Sequence, residues 1–578
     1  MARFRHPSRR ELLAAERHID APPTDHRPDL RVTLVYPNHY GPAMANLGFQ
    51  TVYRILTRTP GVAVERAFLS DPAATGPLRR LESGRPAGDA DIIAISLSFE
   101  NDALHIPALL EGAGLAPRSV DRPADAPLVI AGGVAPMLNP EPVAPFMDAF
   151  LLGEAEAVLP RFLDDYRALS RRGDRETGLA ELARTVPGLY VPALYPAKSL
   201  DGVLIPRPSS ADLPARIQLV RPAALDDAPA HSAILTPHGP FPETFLLEVG
   251  RGCPNGCRFC GAGYVYRPAR FPGSDRVLGL LDRAAVLTDR LGLVGAAVSD
   301  VPEIDRLCGA ARDRGFRISF SSLRADALAG GSIAEPLLDA LAAGGTKTAT
   351  VAPDAGSERL RRVINKGLTE DDLLGAAEAL VRRGIPNLKL YFMVGLPTET
   401  DEDVREIVTL CRRIKETFLS AARRKGRIGG MTVSLNPFVP KPHTPFQRAP
   451  LVPLKALRER IRIVQDGLRR IPNLRFHPEP PRHALVQAVL SRGDRQTADL
   501  ILAAHRAGGN WPQALKAHPP DPDRLHRELP EEAPQPWEIV DPGVRRTFLE
   551  REARRARSAT PTPPCPLSEG CDRCGVCP

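Results

Sequence analysis

Three cysteines lie within eight residues near the middle of the chain, at Cys253, Cys257 and Cys260, with the spacing C-x3-C-x2-C. Cysteine thiolates are the usual ligands of iron–sulfur clusters, and close spacing allows one loop to wrap one cluster. A four-iron cluster bound by three thiolates keeps one iron without a ligand from this loop. Because an open metal position is typical of catalytic sites, the spacing predicts a 4Fe–4S centre whose fourth iron binds another molecule.

A zinc knuckle is the simpler interpretation of clustered cysteines. Zinc sites take four ligands, commonly from C-x2-C pairs, and no fourth Cys or His lies close to this loop in the sequence. The loop therefore favours an iron–sulfur cluster over zinc.

A second group of cysteines ends the chain: Cys565, Cys571, Cys574 and Cys577. Its last part is similar to half of a bacterial ferredoxin motif. Four thiolates this close can enclose zinc or hold an auxiliary 4Fe–4S cluster, and a tail without metal is the third alternative. Seven of nine cysteines in two tight groups indicate metal ligation in a reducing compartment rather than disulfides.

The elements around the first cysteine group alternate between strands and helices. Six strands separated by helix-length segments predict a partial (β/α)6 barrel of TIM type, with chemistry at the carboxyl ends of the strands. The cysteine loop directly follows the first strand, as that rule requires. The predicted strands are 243–250, 295–300, 317–322, 348–352, 387–393 and 430–435.

A second set of strands precedes this barrel. Short, continuously apolar strands that alternate with helices predict a parallel sheet covered on both faces, and ligands then bind beyond the strands' carboxyl ends. The strands are predicted at 31–36, 92–97, 128–131 and 149–152. The fold class is therefore α/β: a doubly wound, Rossmann-like domain, a partial barrel, and a helical, Cys-rich C-terminal region.

These patterns divide the chain into six regions. They are an N-terminal extension (1–29), the Rossmann-like domain (30–190), a linker (191–242), the core barrel (243–450), a helical C-terminal region (451–557) and a Cys-rich metal-binding tail (558–578).

Several motifs resemble those of the radical S-adenosylmethionine (radical SAM) enzymes. They are the cysteine triad with Phe259 before its last cysteine, and the phrases 355–361 (AGSERLR), 395–400 (GLPTET) and 438–446 (FVPKPHTPF). The resemblance covers about residues 30–450 and is to the branch with a cobalamin-binding domain. The terminal Cys-x2-Cys-Gly-Val-Cys resembles an uncharacterised bacterial subfamily of that branch.

The resemblance implies a reaction. The open iron binds the amino and carboxylate groups of S-adenosylmethionine, and an electron from the cluster cleaves the sulfonium to a 5′-deoxyadenosyl radical. That radical abstracts a hydrogen atom from the substrate. An electron donor such as flavodoxin or ferredoxin is therefore an expected partner.

The resemblance also implies that S-adenosylmethionine is held at the strand ends. Asp and Ser there can accept hydrogen bonds from the cofactor, Arg can bind a carboxylate in bidentate fashion, and Gly lets the backbone approach the adenine. Taken singly, a Ser or Asp there is more often a helix cap, so the prediction depends on their order along the chain. The candidates are Phe259, Ser299, Asp300, Ser322, Arg324, Asp354, Ser357, Gly395 and Pro397.

Four segments of the Rossmann-like domain are similar to cobalamin-binding domains: 91–96, 131–133, 140–141 and 148–154. The Asp-x-His-x-x-Gly motif, whose His ligates cobalt in cobalamin-dependent mutases, is absent. Two alternatives stay open: a cobalamin site that lacks this His, or a degenerate domain kept for packing or substrate binding. Bound cobalamin would favour one of two reactions. One is methyl transfer to an unactivated carbon, which would make the protein a methyltransferase, and the other is a rearrangement.

Composition limits the classes of substrate, cellular location and enzyme that fit the chain. The 578 residues carry a formal charge of +8, which permits an RNA or phosphate-bearing substrate without requiring one. No apolar run is long enough for a transmembrane helix and no signal peptide is recognisable, so we expect a cytoplasmic protein without a membrane partner. The first 252 residues lack cysteine, which argues against a methylthiotransferase with a second N-terminal cluster.

Two alternative functions remain at this point. One is an RNA- or protein-modifying radical SAM enzyme without cobalamin. The other is a non-catalytic iron–sulfur or RNA-binding protein on the same scaffold, and the intact cysteine triad argues against it. The sequence does not identify the substrate.

Overall fold

The structure is a computed structural model. It describes residues 7–19, 28–69, 76–169, 175–225, 229–331, 333–423, 429–568 and 570–577. Part of the predicted N-terminal extension lies outside these residues. The described part holds a short helix that begins with a capping box, in which Ser8 and Glu11 satisfy each other's backbone N–H groups.

The N-terminal region forms a doubly wound sheet of six strands in the order β3-β2-β4-β5-β6-β7. All are parallel except β7, which pairs antiparallel with β6. The strands are β1 (Arg17–His18), β2 (Leu30–Tyr36), β3 (Val62–Phe68), β4 (Ile92–Ser96), β5 (Leu128–Gly132), β6 (Ala149–Leu151) and β7 (Leu189–Tyr190). The helices are α1 (Arg9–Ala15), α2 (Tyr40–Met44), α3 (Leu47–Arg58), α4 (Ile106–Gly112), α5 (Val134–Leu138), α6 (Ala155–Leu169) and α7 (Arg175–Thr185).

The sequence predicted four of the six strands in this sheet and missed β3 and β7; the short β1, which lies outside the sheet, was also missed. Strand β3 reads Val-Ala-Val-Glu-Arg-Ala-Phe, so its charged residues interrupt the apolar run that marks a buried strand. Its Arg66 side chain is nevertheless fully buried, because Glu16 and Glu82 both pair with it. Tertiary ion pairs of this kind leave no local signal in the sequence.

Residues 191–242 contain four short strands, β8 (Ala197–Leu200), β9 (Val203–Pro206), β10 (Ile217–Gln218) and β11 (Ile234–Leu235). Strands β8 and β9 form a hairpin, whereas β11 pairs with β1 from the N-terminal region. This segment therefore ties the first domain to the barrel that follows.

The barrel contains seven parallel strands in two sheets, β12-β13-β14 and β15-β16-β17-β18. The strands are β12 (Phe245–Glu248), β13 (Arg290–Val294), β14 (Arg317–Phe320), β15 (Thr348–Asp354), β16 (Asn387–Val394), β17 (Met431–Pro437) and β18 (Leu474–Pro478). The helices are α8 (Ala262–Val265), α9 (Ser274–Ala285), α10 (Ile304–Asp313), α11 (Ala325–Ala329), α12 (Ala334–Ala343), α13 (Glu358–Val363), α14 (Glu370–Arg382), α15 (Asp401–Arg423) and α16 (Leu454–Leu468). The predicted α/β fold class is confirmed.

Two details of the barrel differ from the prediction. The second strand was predicted at 295–300 but lies at β13, whose Arg290 and Gly292 weaken its apolar pattern, and Val298–Asp300 is a 3-10 turn beyond it. A seventh strand, β18, was missed because a charged, half-exposed edge strand lacks an apolar run.

The C-terminal region is helical and packs against the N-terminal domain. Its elements are α17 (Pro481–Arg492), α18 (Thr497–Arg506), α19 (Trp511–Ala517), α20 (Pro522–His526), β19 (Val540–Asp541) and α21 (Arg546–Arg557). The contact is polar in part, since Arg495 donates to the fully buried Glu141 at 2.7 Å and to the Tyr190 hydroxyl at 2.7 Å. No helix in the described ranges is long and apolar enough to cross a membrane.

Candidate active site

The cysteine loop lies at the carboxyl end of β12, the first barrel strand, and leads into α8. Gly252 begins the loop with a φ of +80°, and a side chain there would come within 2.4 Å of the Tyr266 carbonyl oxygen. Only glycine fits such a backbone, so this residue fixes how the chain turns into Cys253. The loop therefore occupies the position where TIM-type barrels carry out chemistry.

Two thiol groups of the loop, those of Cys257 and Cys260, are protonated when no metal is bound. Burial of the Cys257 thiol raises its pKa to about 12, and Lys366 acts in the opposite direction. Burial also raises the pKa of Cys260. Metal binding must therefore displace protons from these thiols, as it does at other cysteine sites.

Polar side chains from neighbouring strand ends surround the loop. The Asn255 side-chain amide donates to Asp300 Oδ2 at 2.7 Å and to Cys253 Sγ at 3.6 Å. The Lys366 ammonium lies 2.6 Å from Asp354 Oδ2. The pKa of Lys366 is raised, because attraction to Asp354 and Cys257 outweighs desolvation. A cation thus stands beside the cysteines at neutral pH.

Four of the residues predicted to bind S-adenosylmethionine lie near this loop, and their hydrogen-bond or ion-pair partners differ. Burial raises the pKa of Asp300, although Arg324 and Asn255 oppose the shift. Arg324 pairs with Asp326 at 2.9 Å. The Ser299 hydroxyl is buried and has no hydrogen-bond partner within the described chain, whereas Ser322 donates to the Ala296 carbonyl oxygen. Ser299 and Asp300 are therefore the candidates with the most unused hydrogen-bonding capacity.

The other candidates lie around the ends of β15 and β16. Ser357 caps α13 and donates to Asp403 Oδ1 at 2.5 Å, so it serves as a helix cap, the more common role of a Ser at such a position. Gly395 has a φ of +85°, and its N–H donates to Glu399. Pro397 follows two residues later. Phe259 packs against the apolar cluster around Leu360. Their roles in binding S-adenosylmethionine stay predictions.

The donor set fits an iron–sulfur cluster: three unpaired cysteine thiols in one loop, with cationic side chains nearby. Within the described chain, no three Cys, His, Asp or Glu side chains already stand as ligands of one metal ion.

A cavity of about 520 Å³ lies between the N-terminal sheet and the first sheet of the barrel, β12-β13-β14. It is bounded on one side by the carboxyl ends of the N-terminal strands and on the other by the first strands of the barrel. Its glycines permit a close backbone approach; at Gly133 a side chain would come within 2.4 Å of the Leu97 carbonyl oxygen. Polar, charged and glycine residues of its wall include Asn46, Ser96, Ser98, Gly132, Gly133, Gly153, Glu154, Glu156, Glu248, Gly250, Arg251, Gly252 and Tyr266.

An ion-pair network closes one wall of this cavity. Arg251, two residues before Cys253, contacts Glu154 at 2.6 Å, Glu156 at 2.8 Å and Glu248 at 2.7 Å. Glu154 also pairs with Arg270. The sequence singled out the segment 148–154, which contains Glu154, but not Arg251, because a lone Arg before a cysteine carries no pairing information. The network joins the N-terminal domain directly to the cysteine loop.

Family models match both halves of this arrangement. Residues 48–192 match the model for the N-terminal region of radical SAM proteins, and residues 247–411 match the model for the radical SAM superfamily. The chain therefore belongs to the radical SAM superfamily, and it is an enzyme that works with a 4Fe–4S cluster, S-adenosylmethionine and a source of electrons.

Individual relatives were also found. An uncharacterized protein of Methanocaldococcus jannaschii is 29% identical over 479 residues, which cover 81% of this chain and 90% of the relative. Among solved structures, the radical SAM methyltransferase TsrM from Kitasatospora setae, with cobalamin and a [4Fe-4S] cluster bound, is 15% identical, with a TM-score of 0.44 over 70% of this chain and 74% of TsrM. The cobalamin-dependent S-adenosylmethionine radical enzyme OxsB is 15% identical, with a TM-score of 0.42 over 66% of this chain and 51% of OxsB.

Proposed function

We propose that this radical SAM enzyme binds a corrinoid in the cavity between its two sheets and catalyses methyl transfer to its substrate. The cavity itself is the observation that carries the proposal. It lies beyond the carboxyl ends of the N-terminal strands, where doubly wound sheets bind ligands. Its volume of about 520 Å³ is within the range of cofactor sites.

The residues of the cysteine loop would perform the first part of the reaction. When bound, the cluster and S-adenosylmethionine supply a one-electron cleavage of the sulfonium. Cys253, Cys257 and Cys260 would hold the cluster, and Ser299 and Asp300 would accept hydrogen bonds from the ammonium group of S-adenosylmethionine. Lys366 offsets the negative charge that the cluster gains on reduction. A small electron-transfer protein such as flavodoxin or ferredoxin is the donor that we expect.

The walls of the cavity suit a corrinoid that lacks a ligating His from the protein. Asn46, Ser96 and Ser98 offer hydrogen bonds at the strand ends, and glycines at 132, 133 and 153 let neighbouring backbone segments pack closely around the cavity. When bound, a corrinoid supplies a cobalt centre that carries a methyl group. Arg251, which directly precedes the cysteine loop, lies in the same wall, so both cofactors would lie against one ion-pair network.

A substitution that fills the cavity tests the proposal. Val134 lines the cavity at the start of α5, whereas Val120 is 85% exposed on the same domain. We expect the wild type from cobalamin-supplemented cells to retain about one corrinoid per chain and V134W to retain at least about tenfold less, because a bulky ring occupies the site. V120W should match the wild type. Absorbance of the extracted corrinoid is the readout.

Two results would contradict a corrinoid site in this cavity. A wild-type chain with no corrinoid after purification and reconstitution would refute the proposal, and so would equal corrinoid content in V134W. Absence of corrinoid together with intact cleavage of S-adenosylmethionine would indicate that the N-terminal domain serves packing or substrate binding instead.

A further inference from the structure

The four terminal cysteines are gathered around one small cavity. Cys565, Cys571, Cys574 and Cys577 all line it, and no disulfide joins any of them. The chain turns back at Gly575, whose φ is +89° and where a side chain would collide with Arg545. The Cys574 carbonyl oxygen accepts a hydrogen bond from the Arg545 N–H at 2.9 Å, and the Cys574 side chain is buried against Tyr264 and Phe548. The tail therefore has a defined backbone that brings its thiols together.

The sequence left two metal centres open for the tail, a zinc ion and an auxiliary 4Fe–4S cluster, and the size of this cavity favours the single ion. Its volume is about 20 Å³, close to the space that one water molecule occupies by the same kind of measure. As the side chains stand, this space matches a single ion and is too small for a four-iron cubane. Four thiolates closing around one ion in a tetrahedron is the usual structural zinc site.

The surroundings suit the net negative charge of such a site. Arg267 lines the cavity, and Arg573 lines it as well and donates to the Pro563 and Pro564 carbonyl oxygens at 3.1 Å. Arg545 donates to the Asp572 carbonyl oxygen at 3.2 Å. Four thiolates and one divalent ion carry two negative charges in sum, so the nearby guanidinium groups are electrostatically favourable.

The tail that carries these cysteines lies against the back of the cysteine loop of the active site. The Cys565 N–H donates to the Pro254 carbonyl oxygen at 2.8 Å. Asn365 joins both segments, since its amide donates to the carbonyl oxygens of Gly256 and Thr562 at 3.1 Å. Arg258, fully buried inside the loop, donates to the Thr560 carbonyl oxygen at 2.7 Å. Anything that orders the tail therefore also orders the loop.

We propose that Cys565, Cys571, Cys574 and Cys577 bind a single divalent ion of the zinc type, and that this ion fastens the tail to the back of the loop 253–260. The four thiols turn inward when the ion binds, since they do not yet stand as its ligands. The site does not take part in the reaction. It positions the loop that holds the catalytic cluster.

Metal analysis of the full chain after anaerobic reconstitution tests the ion. We expect about four irons and about one zinc per wild-type chain, and C571S/C577S should lose the zinc. The control C308A removes a buried cysteine of α10, outside both groups, and should keep both metals. Loss of about four irons with C571S/C577S would show an auxiliary cluster and overturn the single-ion proposal. An unchanged metal content would overturn it as well.

Two further measurements test the ion without a variant and the fastening role with one. A mercurial titrated into wild-type protein should release its zinc as four thiols react. The rate of iron extraction by a chelator should rise several-fold in C571S/C577S but not in C308A, because the loop loses its support. An iron extraction rate equal to that of the wild type would refute the fastening role.

Discussion

At the scale of single residues, the chemistry of this site depends on which charges stand beside the thiols. The cysteine triad could be identified from the sequence because its spacing is local. The contacts around it could not: the carboxylate of Asp354, which stays a predicted ligand of S-adenosylmethionine, lies 2.6 Å from the Lys366 ammonium. That pairing depends on how the chain returns after α13, which no local pattern encodes.

Lys366 should set the reduction potential of the cluster. A cation near Cys257 stabilises the more negative, reduced cluster, so we expect K366M to lower the midpoint potential by about 50–100 mV. K366R keeps the charge and should shift it much less. K347M, which removes an exposed lysine at the far end of β15, is the matched control. Redox titration followed by electron paramagnetic resonance measures the shift, and an equal potential in K366M and K347M would contradict this role.

At the scale of elements, the strand ends determine which groups meet. The sequence predicted six barrel strands from their apolar runs, and the second was displaced because Gly295–Val298 is apolar but lies in the loop. It could not predict the joint between sheets, where Arg251 meets Glu154 and Glu156. Such a joint depends on two domains meeting, and each partner taken alone resembles an ordinary surface charge.

Arg251 should contribute far more to the free energy of unfolding than a surface arginine that also has acidic neighbours. Its side chain is 10% exposed, so R251M leaves buried carboxylates without their partner and should cost about 3 kcal/mol of unfolding free energy. Arg306 pairs with Asp275 and Glu303 at an exposed site, so R306M should cost less than about 1 kcal/mol. Urea denaturation of both variants compares the two. Equal losses would show that the joint is not a stabilising contact.

At the scale of the whole molecule, the order of domains could be predicted but their enclosed cavity could not. Apolar runs and helix-length spacings give two α/β units in succession, as found. The cavity arises where their carboxyl edges face each other, and residues as distant as Asn46 and Ala296 line it. The segment between the domains contributes too, since His231 is buried between Arg54 and Phe245.

His231 should make the domain contact sensitive to acid. Burial lowers its pKa from 6.5 to about 4, and the facing Arg54 and the more distant Arg58 and Arg276 act in the same direction, while the Pro229 carbonyl oxygen opposes them. A group whose pKa is depressed on folding contributes stability above its unfolded pKa and loses it as pH falls. The loss should therefore run from about pH 6.5 toward pH 4 and reach up to about 3 kcal/mol.

The variant H231Q isolates this contribution. Its amide does not titrate, so the difference in unfolding free energy between wild type and H231Q should change across that pH window and be constant above it. Denaturation by urea at several pH values gives the difference. A constant difference from pH 7 to pH 4.5 would show that folding does not lower the pKa of His231.

Reductive cleavage of S-adenosylmethionine tests the central claim most directly. The wild-type chain, reconstituted with iron and sulfide and reduced without oxygen, should convert S-adenosylmethionine to 5′-deoxyadenosine. C253A should lose this activity by at least about a hundredfold, because the loop then lacks a cluster ligand, while C308A should keep it. A C253A chain that cleaves S-adenosylmethionine as fast as the wild type would contradict the account.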